Sequence, residues 1–219
     1  MMKQIIEPWM PQSLPRIDGG ETMFKELRDQ EERVAEMQFF NLTIQKEDFD
    51  GICVSKVIFD HCTFLDCTFL KGEFTDVVFQ SCDFSNSDFS DGYFNRCRFL
   101  ASKGMGTKFC GCSIQNLLIS ECNLNYSNFD SCKLEKIRIE KSQLSGGNFS
   151  QCRCKNVSWE NNRLTGASFF KTMLNGMDFS TSDINGIALS DDLRELKGAV
   201  MDLYQAAELM KRLGVIVKD

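Results

Sequence analysis

One period governs most of this chain. Every fifth residue from Phe39 to Leu189 is apolar, Gly104 excepted: Phe39, Ile44, Phe49, Val54, Phe59, Phe64, Phe69, Phe74, Phe79, Phe84, Phe89, Phe94, Phe99, and on through Phe109, Ile114 and Ile119 to Phe179, Ile184 and Leu189. Sixteen of the 19 phenylalanines stand in this column, and only Phe24, Phe40 and Phe170 do not. A period of five fits neither the α-helix at 3.6 nor a simple strand at 2.0. The chain therefore reads as a repeat architecture, in which each unit buries its apolar residues only against its neighbours.

The position two before the large residue is also selective, and small in most units: Cys62, Cys67, Gly72, Val77, Cys82, Ser87, Gly92, Cys97, and later Cys122, Ser127, Cys132, Ser142, Gly147, Cys152, Ala167 and Thr172. Eight of the 11 cysteines stand there, all but Cys53, Cys110 and Cys154. Each unit offers one large and one small side chain inward and turns three residues to water. A buried free cysteine behaves as a small hydrophobe, so the cysteines read as packing residues. The register predicts stacks of Cys62 on Cys82 and of Cys112, Cys132 and Cys152, unbonded in a reducing compartment. Cys110 faces outward while Cys112, Cys152 and Cys154 face inward, so no metal site is expected.

A single histidine, His61, turned outward, leaves no Ser-His-Asp triad and no histidine-rich zinc site. A filled rod has no concave site with converging polar groups. No catalytic residue, metal or cofactor is expected, and the chain reads as non-enzymatic. No apolar run approaches the roughly 20 residues of a membrane span, and Met1 to Pro8 lack the apolar stretch of a secretory signal. A cytoplasmic location without membrane contact follows.

Units such as Cys82-Asp83-Phe84-Ser85-Asn86 and Ser87-Asp88-Phe89-Ser90-Asp91 resemble the pentapeptide-repeat family. The resemblance implies an all-β solenoid, a right-handed quadrilateral β-helix with one pentapeptide per side and 20 residues per coil. The 31 units from 39 to 189 would make just under eight coils, a rod about 37 Å long at strand spacing. Three segments are expected: an N-terminal extended segment and capping helix over 1–38, the β-helix over 39–190, and a C-terminal cap and dimerisation segment over 191–219.

Before the repeats, Trp9, Pro11 and Pro15 predict an extended stretch. Asp18-Gly19-Gly20-Glu21 reads as a helix start with Glu21 as capping-box partner, and Met23, Phe24, Leu27, Val34 and Met37 follow at roughly helical spacing. Within the repeats, the stretch 101–108 is irregular because Gly104 replaces the large inward residue. It predicts a bulged coil with Met105 filling the space, or alternatively an exposed feature that meets a partner. After Leu189 the column stops. Residues 205–213 read as a helix ended by Gly214, and Val215 to Val217 as a short strand.

The stretch from Gly198 to Val217 resembles the tail of Qnr-type quinolone-resistance proteins, which joins two rods end to end. The resemblance implies a homodimer with Tyr204, Leu209, Met210, Leu213, Val215 and Val217 at the two-fold contact; the alternative is a monomer whose tail caps the last coil. It also implies a DNA-mimicking partner of DNA gyrase or topoisomerase IV that protects the enzyme from quinolone-type inhibitors. A general protein-interaction scaffold with an unidentified partner is the other reading. No projecting loop of the Gram-negative Qnr kind breaks the phase, and residues 1–38 are longer than that subgroup would carry.

Charge bears on this choice. Residues 39–95 carry a net −7 and residues 96–190 a net +5. Asp48, Asp50, Asp88, Asp91 and Asp130 flank the side carrying Phe49, Phe69, Phe89, Phe109 and Phe129. They predict an acidic stripe free of Lys and Arg from 47 to 107, able to meet a basic groove. The basic half, with Lys133, Lys136, Arg138, Lys141, Arg153, Lys155 and Arg163, lacks exposed aromatic platforms apart from Phe170, so no direct nucleic-acid contact is expected.

Overall fold

The structure, a computed structural model, describes residues 4–218. A run of parallel strands stacks along one side: β2 (Val34–Phe40), β4 (Cys53–Asp60), β6 (Glu73–Gln80), β7 (Tyr93–Leu100), β8 (Ser113–Ser120), β9 (Lys133–Glu140) and β10 (Arg153–Glu160). Each pairs with the next at a register of 20 residues, as in Val34↔Val54, Phe39↔Phe59 and Phe94↔Ile114. On the other sides β3 (Thr43–Gln45) pairs with β5 (Thr63–Leu65), and isolated bridges such as Asp88↔Lys108 and Gln143↔Arg163 keep the same step. The result is a right-handed, four-sided β-helix: seven turns by their strands and an incomplete eighth held by bridges.

The interior is a set of ring columns. Phe49, Phe69, Phe89, Phe109, Phe129, Phe149 and Phe169 stack nearly parallel with centroids 4.7–5.4 Å apart, one ring per coil. That spacing is the inter-strand distance, so one residue type repeated at 20-residue intervals satisfies backbone pairing and ring packing together.

The small inward residues do more than fill volume. At the corners their side chains donate to the carbonyl 23 residues back: Cys82 Sγ to Phe59 O at 3.3 Å, Ser87 Oγ to Phe64 O at 2.8 Å, Cys132 Sγ to Phe109 O at 2.8 Å and Thr172 Oγ1 to Phe149 O at 2.6 Å. Ser87 Oγ also accepts from Cys67 N, and Ser102 Oγ from Cys82 N, both at 3.0 Å. Buried backbone groups must be paired, and Cys, Ser and Thr supply such a donor at these corners, where Gly72, Gly92 and Ala167 do not. On the strand side the same position takes Val57, Val77, Leu117, Ile137 and Val157, all buried. Cys97 stands in the same column and donates to Phe74 O at 3.4 Å, so this side takes either an apolar side chain or a thiol donor.

Gly104 is not a bulge. Lys103 bridges both Asp83 and Asn123, so the coil is regular, and Met105 points out to solvent. The missing side chain is replaced from the neighbouring coils: a Cβ on Gly104 would lie 2.2 Å from Phe84 Cε2 and 2.8 Å from Leu124 Cδ2.

The N-terminal end is closed by β1 (Arg16–Asp18), which pairs with β2, and by α1 (Glu21–Asp29). Phe24 is wholly buried, with the rings of Phe39, Phe49, Phe59 and Phe64 within 5.0–6.0 Å. Burying such a side chain contributes about 1.5–3 kcal/mol. The expected capping box is absent. Gly20, left-handed at φ 85°, is the N-cap without a side-chain bond, because Asp18 is engaged in β1 and the chain must reverse across the open coil. Val34 and Met37, read above as helical, lie on β2 and carry the stack one unit earlier than Phe39.

At the other end the coil slips. Asp178 bridges Val200, 22 residues on, and a 3₁₀ turn at Arg194–Leu196 takes up the difference. Glu195 is completely buried there. Its Oε1 accepts from Lys171 N at 2.8 Å, Ser190 N at 3.1 Å and the Ser190 hydroxyl at 2.5 Å. Helix α2 (Leu203–Arg212) starts in a capping box of Asp202 with Gln205, a sequence signature not read above. Gly214, at φ 77°, ends it in a Schellman arrangement, with Val215 N bonded to Met210 O and Gly214 N to Lys211 O. The expected strand over Val215 to Val217 is not formed, since nothing in this chain pairs with it among the described residues.

Candidate partner-binding surfaces

The five predicted aspartates share one side, and Asp48, Asp50 and Asp88 are held by hydrogen bonds to their own turn or the next coil. Asp48 Oδ1 accepts from Asp50 N at 2.8 Å, Asp50 Oδ1 from Leu70 N at 2.8 Å, and Asp88 Oδ1 from Ser90 N at 3.0 Å and Ser90 Oγ at 2.6 Å. The Asp50 N–H holds the Asp48 carboxyl below its ordinary range. Burial pushes Asp88 up, but the Ser90 bonds and Lys108 outweigh it and the net shift is downward. Both sites stay anionic at neutral pH.

They do not form an unbroken stripe. Asp48 and Asp50 flank Phe49, Asp88 and Asp91 flank Phe89, and Asp130 follows Phe129, so the acids stand on alternate coils. Between them come Lys71, at the register of Asp91, and Lys108, whose Nζ lies 3.3 Å from Asp88 Oδ2. Helix α1 adds Lys25 at 2.6 Å and Arg28 at 3.2 Å from Glu47, and Arg28 also donates to Asp48 O. The expectation of no Lys or Arg between 47 and 107 is corrected by Lys71. Lys25 and Arg28 of α1 reach this side in a way the repeat register does not express.

At the C-terminal end Leu203, Tyr204 and Ile216 are 80–86% exposed, and Leu213, Val215 and Val217 are about half exposed. Leu209 is buried in its own chain and Met210 packs against that core. Gln205 Nε2 bonds to the carbonyls of Phe179 and Ser182 at 3.0 and 2.7 Å, and Arg212 Nη1 to that of Ile187 at 2.7 Å, so α2 sits on the last coil. Leu209 lies about 140° around the helix from Tyr204. One face caps the rod and the other is open. Leu203 and Ile216 also belong to the open apolar surface, Ile216 within the expected terminal strand; helical periodicity measured from Leu209 places Leu203 on the open face.

The basic half is internally paired in part: Arg138 with Glu140 at 2.7 Å and Glu160 at 3.2 Å, and Lys155 with Glu135 at 2.9 Å. Tyr126 is an exposed aromatic there besides Phe170, its ring over Gly146, where a Cβ would meet it at 2.7 Å. Burial pushes the Cys97 thiol up to about 12 and the Cys122 thiol to about 11, so both are neutral packing groups. Among the described residues no three His, Cys, Asp or Glu side chains are placed to hold a metal, and no helix is long and apolar enough to cross a membrane.

A four-sided solenoid of stacked pentapeptides, capped by helices and with its interior filled, is the class these features define. Family models agree: one for a pentapeptide repeat region matches residues 72–149, and one for pentapeptide repeats in eight copies matches 148–186. The chain belongs to the pentapeptide-repeat family. It is 34% identical over 125 residues to the uncharacterized protein YisX of Bacillus subtilis (strain 168), an alignment spanning 57% of each chain. Among solved structures it is similar to a trypsin-treated form of QnrB1, described as a plasmid-mediated fluoroquinolone resistance protein. That match has 24% identity and a TM-score of 0.48, covering 86% of this chain and 91% of the other. HetL, a pentapeptide repeat protein involved in heterocyst differentiation regulation in the cyanobacterium Nostoc sp. strain PCC 7120, matches at 11% identity and a TM-score of 0.30, covering 84% and 97%.

Proposed function

We propose that this chain is a non-enzymatic, DNA-mimicking rod that binds a type II topoisomerase, DNA gyrase or topoisomerase IV, and shields it from quinolone-type inhibitors. The observation that carries the reading is the charge split along a filled rod. The first coils hold the net −7 of residues 39–95, with Asp48, Asp50 and Asp88 fixed on one side by hydrogen bonds and Asp91 beside them. Carboxylates held at fixed intervals on a stiff solenoid offer a basic groove a preorganised row of anions. Two copies joined through Leu203, Tyr204, Leu213 and Val215 to Val217 would place these acidic halves at the outer ends.

A second reading, a scaffold for an unidentified protein, is favoured by the cations on the same side: Lys71, Lys108 and Arg28 reduce the field a DNA groove would feel. Supercoiling by gyrase in the presence of ciprofloxacin, titrated with this protein, decides between them. Restored supercoiling supports topoisomerase protection. Neither protection nor inhibition at any concentration leaves the scaffold.

A further inference from the structure

The strand side carries a ladder that the five-residue register does not reveal. Glu36, Lys56, Asp76, Arg96 and Asn116 recur at 20-residue intervals, each with φ between 51° and 58°. Their side chains join along the rod: Lys56 Nζ to Glu36 at 2.6 Å, Arg96 in a fork on Asp76 at 2.6 and 2.8 Å, and Asn116 Nδ2 to Asn95 Oδ1 at 3.0 Å.

The chain's own N-terminal segment runs down this ladder. Trp9 N donates to Asp76 Oδ1 at 2.9 Å, and Lys56 Nζ lies 4.7 Å from the centre of the Trp9 ring. Arg98 grips Glu7 Oε2, and Ile6 N reaches Asn116 Oδ1 at 3.3 Å. The fit is commensurate. From Trp9 to Ile6 the segment advances three residues, about 9.3 Å in the polyproline conformation that Pro8 favours. The two coils from Asp76 to Asn116 span about 9.6 Å. Successive coils thus meet successive groups of an extended chain laid across the strands: the Trp9 ring at Lys56, the Trp9 N–H at Asp76, the Glu7 carboxylate at Arg98 and the Ile6 N–H at Asn116.

We propose that this outer face is a recognition surface for an extended, proline-containing peptide with an acidic residue two before an aromatic one. Residues 4–13 are its intramolecular occupant, and a segment of the same chemistry on a partner protein displaces them. The cis segment itself specifies what the face reads. Its hold is confined to the few contacts above, and Ile6 and Trp9 remain more than half exposed while in place. Asp76, only 5% exposed beneath the strap, keeps its Arg96 fork when the strap leaves and exchanges one N–H donor for another.

The test uses the full chain and a fluorescein-labelled peptide of residues 4–13, read by polarisation. The double variant Glu7→Ala with Trp9→Ala weakens the strap and is expected to bind the peptide about ten-fold more tightly than the unaltered chain, where the cis segment competes. Adding Arg98→Glu is expected to weaken that binding about five-fold, and a peptide with lysine in place of Glu7 to recover it on that background. Lys56→Ala provides a second alteration of the face, and the emission of buried Trp159 reports that each variant is folded. No binding to the strap-weakened chain, equal binding to it and the unaltered chain, or indifference to both Arg98→Glu and Lys56→Ala overturns the proposal.

Discussion

Phe84 occupies the place that a side chain on Gly104 would take. The two residues are one coil apart, and a Cβ at 104 would stand 2.2 Å from Phe84 Cε2. Relief requires the ring to leave its contacts with Phe79, Phe89 and Phe99, whose centroids lie 5.2–6.1 Å away. Gly104→Ala is expected to destabilise the protein by about 1–3 kcal/mol, the usual range for overpacking a filled core. Urea unfolding checks this. Phe84→Leu in the same chain should recover part of the loss, whereas strain in the 101–108 backbone would leave the two effects additive.

Glu195 ties the terminal coil together as a buried carboxylate. Burial raises its affinity for a proton, but the Ser190 hydroxyl and the backbone N–H groups of Lys171 and Ser190 outweigh that, and its pKa lies below the ordinary value. A folded-state pKa below the unfolded one means the contribution is complete above the unfolded value, about 4.3. It is lost as pH falls through the folded value. Glu195→Gln is expected to cost about 1–3 kcal/mol at neutral pH and to flatten the stability profile below pH ~4. Urea midpoints of both proteins measured between neutrality and acid test the sign; a variant with an unchanged acid slope sinks the assignment.

The rod was legible in the sequence because its packing, its ring stacking and its backbone step share one period, so that Phe49 and Phe169 announce the same environment. The donor role of Ser87 and Cys132 was hidden by reading them as small hydrophobes, when the carbonyls of Phe64 and Phe109 require a partner. What lay outside the period was harder. Val34 and Met37 were spaced like a helix but pair as a strand, since β4 offers an edge that local spacing does not encode. Lys25 and Arg28 on the acidic side, and Glu7 and Trp9 on the ladder, are brought there by contacts between segments far apart in the chain, which no local pattern carries.

The two faces of α2 predict opposite consequences for neighbouring residues. Tyr204→Glu and Ile216→Asp alter exposed apolar positions and should turn a dimer into a monomer with little change in melting temperature, read by light scattering after size exclusion. Leu209→Ala removes a buried contact and should cost about 2–5 kcal/mol of stability. A monomeric unaltered protein at high concentration would refute the self-association.

The charge pattern yields the sharpest comparison on the acidic side. Asp88 and Asp91 lie between Lys71 and Lys108, so their net field is small and reversing them has a large relative effect. If a basic groove on a topoisomerase is the partner, Asp88→Lys with Asp91→Lys should abolish protection of supercoiling. Lys71→Asp should instead strengthen it, through removal of a cation one coil from Asp91, by about 1 kcal/mol or less at such an exposed position. Both effects should shrink as salt rises, because exposed charges more than about 8–10 Å apart are screened near physiological ionic strength. The Lys71 variant separates field from shape: a partner that reads only the width of the rod would be indifferent to it, while one that reads carboxylates must gain.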